Sequence, residues 1–380
     1  MLKIKKYSLY DISVIYMLFA GLFSSSKYGV SFSWVTIPAL MLLGYTLFIS
    51  HRLVLLRAHI FALFLYIVGV ISTVMSPVVS VERDIFTNFF FTLLFVFVTG
   101  CTEASRKERI YIICYLLIGV TGSICIISNF FSGIYYNSWF QRSSLEFMGV
   151  SRDPNYVGAY LAPIAILSLV IRPFHGRRFE KIFIAITLLT SYAALFILGS
   201  RGAIVSSVIP VALYMLLCIK TVKGKITAVV LAVISLMLGE FLMYEFLPEQ
   251  AIVRLFEFDE NVRLELWGSA MSAFQNNPII GQGYGASTYY SFSISGNDSH
   301  SMYIDILASL GILGMLSYLA LVFCVVYGNK KIDTRVLLIG IALFLPQFFL
   351  NGFNTLSMWI PIFMLFFAKH YLQKLDILNS

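Results

Sequence analysis

The sequence predicts an all-α integral membrane protein: a polytopic bundle of about twelve transmembrane helices, one domain over residues 1–380. Three observations carry this. Of the 380 residues 59% are hydrophobic and only 12% charged, with a mean hydropathy of +0.85, a composition that excludes a soluble globular domain. The apolar residues gather into stretches near the ~20 residues a helix needs to cross a bilayer. The basic residues favour alternate connections between those stretches.

In chain order the stretches cover 9–24, 33–50, 53–75, 85–100, 110–131, 155–171, 182–198, 203–219, 226–247, 301–327, 333–350 and 353–371. Met1 to Lys6 is basic and precedes an apolar run, as in a signal peptide. No small-residue cleavage site follows, so the run reads as a retained first helix. With 10 prolines and no Ser/Gly/Pro-rich linker, nothing divides the chain. The five cysteines are Cys101, Cys114, Cys125, Cys218 and Cys324. Four lie inside apolar runs, so neither a disulfide framework nor a zinc site is indicated.

Orientation follows from Lys and Arg. With the N-terminus cytoplasmic, 20 of the 27 fall in inside connections, among them Lys3, Arg52, Lys107, Arg177, Lys223, Lys331 and Lys374. Both termini are then cytoplasmic. The net charge of +8 is a topology signal, and no basic binding module supports a nucleic-acid partner. The seven outside residues are Lys27, Arg83, Arg142, Arg152, Arg201, Arg254 and Arg263, six of them arginine. Arginine forks grip phosphate bidentately, so this bias points to an anionic ligand outside.

Pro248 to His300 is the longest polar segment, and loops of such length are functional or disordered. Asn261 to Gln275 carries Val262, Leu266, Ala270, Ala273 and Phe274 at helical spacing, which predicts an amphipathic helix. Asn276-Asn277-Pro278 ends it. Gly281, Gly283 and Gly285 alternate next, leaving backbone that a ligand can approach closely. The segment closes on Asp298-Ser299-His300. It reads as an extracytoplasmic loop capping an active site, or as an interfacial loop packed on the bundle.

Two short segments share that side. Arg201 lies in Gly199-Ser200-Arg201-Gly202 between apolar runs. There it either binds an anion or snorkels to the headgroups. Ser151-Arg152-Asp153-Pro154-Asn155-Tyr156 opens a span, with Asp153 suited to the N-cap and Pro154 to the first turn.

Taken together, three pieces resemble the superfamily of O-antigen polymerases (Wzy type) and O-antigen ligases. They are Arg152-Asp153-Pro154-Asn155-Tyr156, Ser200-Arg201-Gly202, and the large loop with Arg263, Trp267, Pro278, Gly281 and Gly283. The loop leads to His300 and Leu310-Gly311-Ile312-Leu313-Gly314. The likeness covers roughly residues 150–320. It implies a lipid-dependent glycosyltransferase bundle of the GT-C-like kind in the bacterial plasma (inner) membrane, working without a metal or other cofactor. Its substrate would be an undecaprenyl-diphosphate-linked oligosaccharide. Its product would be an O-antigen, capsule or exopolysaccharide chain, with a flippase and a chain-length regulator as partners in the pathway. Carried onto this chain, Arg201 and Arg263, and less strongly Arg152, hold the diphosphate. His300 activates the acceptor hydroxyl; Asp298, Asn155 and Tyr303 are supporting candidates. Ligases commonly have asparagine after the histidine, whereas Ser301 follows here, which favours a polymerase.

Other readings are a protein O-oligosaccharyltransferase with the same donor, a transporter for lipid-linked sugar, and a scaffold without chemistry. Transporters usually show internal repeats or midplane ionisable residues, and no repeat is visible. Glu257, Asp259, Glu260 and Glu265 could form a glycosidase pair, but beside Arg254 and Arg263 they suit a salt-bridged helix face. Asp298 either orients His300 or caps the next helix.

Overall fold

The structure is a computed structural model. It describes residues 9–23, 30–50, 53–78, 83–105, 107–132, 143–147, 150–172, 177–227, 230, 244–245, 260–295, 299–327, 332–350 and 355–379. Among these the chain is helical, save for loops and a two-residue antiparallel ribbon, β1 (Glu146–Phe147) with β2 (Val150–Ser151). Six helices are long and apolar enough to cross a membrane: 57–74, 108–131, 154–171, 178–198, 201–218 and 302–326. Shorter apolar helices cover 9–23, 37–48, 86–101 and 334–348. These are the helices of a multi-pass membrane protein. Most of the expected stretch 226–247 lies outside the described residues.

The chain forms two compact units, residues 1–115, 259–333 and 347–380 in the first and 116–258 with 334–346 in the second. The first contains α1 (Leu9–Phe23), α2 (Val30–Tyr45), α3 (Arg57–Val74), α4 (Arg83–Ser105) and the start of α5 (Glu108–Phe131). Later in the chain it adds α10 (Glu260–Asn276), α11 (Ala286–Ser295), α12 (Met302–Val326) and α14 (Leu356–Asn379). Its central pair is α3 against α12. Phe95 of α4 packs 5.7 Å from the rings of both Trp359 and Phe363 of α14.

Ion pairs tie the helix ends of this unit. Lys107 Nζ and Tyr111 OH donate to the buried Asp11 carboxylate at 2.5 and 2.9 Å, and Lys374 Nζ lies 2.7 Å from the buried Glu108. Lys369 Nζ donates to the Cys324 and Tyr327 carbonyls at 3.1 and 3.4 Å, which satisfies the end of α12. All three lysines belong to connections the sequence assigns to the inside.

The second unit packs α6 (Pro154–Leu161), α7 (Ile164–Ile171), α8 (Arg177–Leu198), α9 (Arg201–Cys218) and α13 (Thr334–Phe344). The expected span 155–171 is present as 154–171 but is interrupted into two helical segments, because Pro163 has no N–H to continue the hydrogen-bond ladder. The expected helix 333–350 likewise stops at Phe344. A 3₁₀ turn from Leu345 to Phe348 takes over around Pro346.

Candidate active site

Within the first unit, α10 runs from Glu260 to Asn276, one residue beyond each predicted end. Its Arg263 and Trp267 are four residues apart and therefore share a face. The Trp267 indole Nε1 donates to the Ser299 carbonyl at 2.9 Å. Ser299 and Ser301 are buried, and between them His300 adopts φ +48° while keeping partial exposure. A non-glycine residue there is strained, and such strain persists only where the surroundings over-determine the backbone. The Ser299 hydroxyl supplies part of that, donating to the Ser301 carbonyl at 3.2 Å.

The circuit closes through residues 348–350, the end of the expected span 333–350. Met302 N donates to the Leu350 carbonyl at 3.0 Å, and the Arg263 guanidinium carbon lies 5.9 Å above the Phe349 ring, within cation–π range. Tyr303 packs its ring 4.3 Å from Phe348 and 6.2 Å from Tyr318. Thus Arg263, Trp267, His300 and Tyr303 are brought together by α10, the start of α12 and residues 348–350. Only the proline-broken run after Phe344 signals this in the sequence. Asp298 lies outside the described residues.

The glycine loop has a different job from the one its sequence suggests. What approaches its backbone is the chain's own α12, broken at Gly311 with φ +62° and ψ −160°. The break frees backbone groups, and the loop supplies their partners. Gln282 N and Gly283 N donate to the Ala308 and Ser309 carbonyls at 2.9 Å each. Ile312 N and Leu313 N donate to the Pro278 and Ile279 carbonyls at 2.9 and 3.1 Å. From α3, the Ser72 hydroxyl accepts from Gly283 N at 2.8 Å and donates to the Ser309 carbonyl at 2.7 Å. A Cβ at Gly281 would stand 2.4 Å from Leu310 N, and one at Gly311 would stand 2.5 Å from the Ile279 carbonyl. Both glycines interlock two backbones, so the expectation of a ligand at Gly281 gives way to internal packing.

In the second unit the β1–β2 ribbon delivers Arg152 to the start of α6, with Arg152 N donating to the Leu145 carbonyl at 2.9 Å. Asp153 caps α6 as expected, accepting from Asn155 N at 2.9 Å, and Pro154 occupies the first turn. The start of α9 lies alongside. Gly158 lets α6 approach it so closely that a Cβ there would stand 2.9 Å from Ser200 and Ala203. Ser200 Oγ donates to Asn155 Oδ1 at 3.5 Å and makes no side-chain cap to α9. Two helix N-termini, each with a positive dipole end, therefore come together, with Arg152 two residues before the start of α6 and Arg201 opening α9. Arg152 is only 4% exposed, and its Nε and Nη1 are buried without a hydrogen-bond partner among the described residues. Burial lowers its pKa from the ordinary arginine value. Sequence ranked Arg152 below Arg201, because burial of an arginine is invisible in a span-entrance motif.

His59 is a contrasting histidine: buried, it accepts from Leu56 N at 2.9 Å and hydrogen-bonds Thr99 at 2.6 Å. It serves structure. Among the described residues no group of three or more His, Cys, Asp or Glu side chains is placed to hold a metal.

Residues 183–319 match a family described as O-antigen ligase. The matched stretch runs from within α8 into α12 and includes Arg201, Arg263, Trp267 and His300, while Arg152 precedes it. It supports the resemblance to the O-antigen polymerase and ligase superfamily that the motifs carry, and with it a membrane enzyme of that type. No curated protein matches the chain.

Proposed function

We propose that the protein is a polysaccharide polymerase joining undecaprenyl-diphosphate-linked repeat units at the outer face of the plasma membrane. The observation that carries this reading is Arg152, buried just before α6 with its Nε and Nη1 lacking a hydrogen-bond partner among the described residues, where the start of α9 packs against α6. A buried charge without a partner is strongly unfavourable, whereas a phosphate oxygen would satisfy both nitrogens. Anions also suit helix N-termini.

In this mechanism Arg152, Arg201 and Arg263 hold the diphosphate. His300 takes the proton of the acceptor hydroxyl as its oxygen bonds to the sugar anomeric carbon, and the bond from that carbon to the diphosphate breaks. Undecaprenyl diphosphate leaves with the bonding electrons. No metal is assigned a step. The proposal includes twelve spans in a single GT-C-like domain and cytoplasmic termini, with a flippase and a chain-length regulator as partners. An O-antigen ligase with the same donor is the second reading, favoured by the description of the matched family. Ser301 after His300 and the product ladder separate the two: a polymerase gives a ladder from lipid-linked repeats alone, and a ligase needs a second acceptor.

The arginines supply the test. Arg201→Lys and Arg263→Lys should each lower transfer about ten- to a hundredfold, because lysine lacks the bidentate fork. Arg152→Met should also abolish most transfer, yet leave the unfolding midpoint unchanged or raised, since it removes an unpaired buried charge. Normal polymer from all three purified variants would overturn the diphosphate role. A lowered midpoint for Arg152→Met would show that Arg152 serves folding.

Sidedness is checked by single cysteines in a cysteine-free background. A cysteine at the exposed Tyr289 should react with a membrane-impermeant reagent added outside, and one at Lys223 should react only after permeabilisation. The reverse pattern would put the site on the wrong face for a lipid-linked donor that has been flipped.

A further inference from the structure

We infer that Trp267 is a positioning residue for His300, acting through the backbone of Ser299; this rests on the reading of His300 as the base. Three observations converge. The indole N–H reaches the Ser299 carbonyl at 2.9 Å. The next residue is His300, the one described residue besides Arg172 with positive φ that is not glycine. Ser299 is fully buried, and Met302 N is fixed on the Leu350 carbonyl at 3.0 Å. The turn is thus held on both sides of the histidine, from α10 and from the segment following α13.

A left-handed residue is unfavourable by itself, so without a hold on the Ser299 carbonyl the peptide on its N-terminal side can relax toward ordinary dihedrals. Rotation there swings the Cα–Cβ bond of His300, and with it the imidazole. General bases tolerate little displacement, because the proton must lie within hydrogen-bond reach. The donor also comes from the same face of α10 as Arg263, four residues earlier, so one helix sets the positions of the base and of a diphosphate ligand. The bulky ring fits the task. It spans from α10 to the turn with two torsions to order, and its only polar atom is spent on this bond.

Trp267→Phe keeps an aromatic ring on α10 and removes the donor; Trp267→His keeps a ring N–H. The assay is single-turnover transfer by purified protein with lipid-linked repeats, in both the native and the His300→Gln background. Trp267→Phe should lower the rate of chemistry on the order of tenfold with KM little changed, as for one lost hydrogen bond expressed in the transition state. Trp267→His should recover part of it. In the His300→Gln background, Trp267→Phe should have no further effect, because two residues acting through one step are not additive. Equal losses in both backgrounds, a loss confined to KM, or an unaltered rate for Trp267→Phe would each overturn the positioning role. Failure of Trp267→Phe to fold while Trp267→His folds and transfers at the native rate would assign the indole N–H to folding of the turn, and would overturn a role confined to positioning the base. Full activity of His300→Gln alone would instead sink the assignment of the base, which this design reports separately.

Discussion

Replacing His300 by glutamine should reduce polymerisation by a hundred- to ten-thousandfold, the usual contribution of a positioned general base. A sugar hydroxyl is a poor nucleophile until its proton leaves, and imidazole is the side chain whose proton exchange is centred nearest neutrality. The structure makes the substitution informative in a second way. His300 sits at φ +48° between two buried serines, so a replacement must also tolerate left-handed backbone, which histidine does better than glutamine. His300→Asn sharpens the comparison, because asparagine enters the left-handed region more readily than most residues. It should fold at least as well as the native protein and still fail to polymerise. Lipid-linked single repeats should accumulate with both variants, since the arginines remain to bind them. If purified His300→Asn makes polymer of native length at a native rate, the histidine is there for its backbone conformation and another group must take the proton.

Gly311→Ala should prevent recovery of folded protein altogether. The residue lies at φ +62°, ψ −160°, a region essentially reserved for glycine. Its Cβ would stand 2.5 Å from the Ile279 backbone. Relieving that clash means withdrawing the 278–283 loop from α12. Four backbone hydrogen bonds between them, and the pair through Ser72, would go with it. Each buried donor or acceptor left unmade costs ~1–3 kcal/mol, and unsatisfied groups at membrane depth are less tolerable still. Summed over these groups, the loss is about as large as or larger than the ~5–15 kcal/mol by which most domains are stable. Gly281→Ala should behave alike. Gly268→Ala is the control: no atom lies within 4 Å of its added methyl, and alanine favours the helix by up to ~1 kcal/mol. Yield in detergent, gel filtration and protease resistance decide the matter. A monodisperse, protease-resistant Gly311→Ala protein would mean that the break in α12 is not held by this interlock.

The break also bears on the transporter reading. Interrupted helices in transporters present freed backbone groups to substrate or ions. Here the loop and α3 take up those around Gly311, so this break is structural.

Much of the fold was legible in the sequence, for a reason particular to membranes. A helix crossing a bilayer must satisfy its backbone internally and be apolar over a fixed length, so composition and run length nearly determine the element. The predicted stretches 9–24, 53–75 and 301–327 accordingly correspond to helices 9–23, 57–74 and 302–326. Local rules did as well where the chemistry is local. The Asp153 cap with Pro154 behind it depends on neighbours two residues apart, and α10 on a periodicity contained in seventeen residues.

Tertiary structure decided what depends on residues distant in the chain. Ser72 meets Ser309 across 237 positions. No window of sequence could tell that Gly281 and Gly311 serve each other and not a ligand. Pro346 broke an apolar run, but only packing determined that the freed segment would carry Phe349 to Arg263 and Leu350 to Met302. Arg152 shows the limit most plainly. Its charge and its place before a helix are written in the sequence, while its burial without a partner is not. Whether water reaches a guanidinium depends on how parts of the chain distant in sequence pack around it, and no window of sequence contains that.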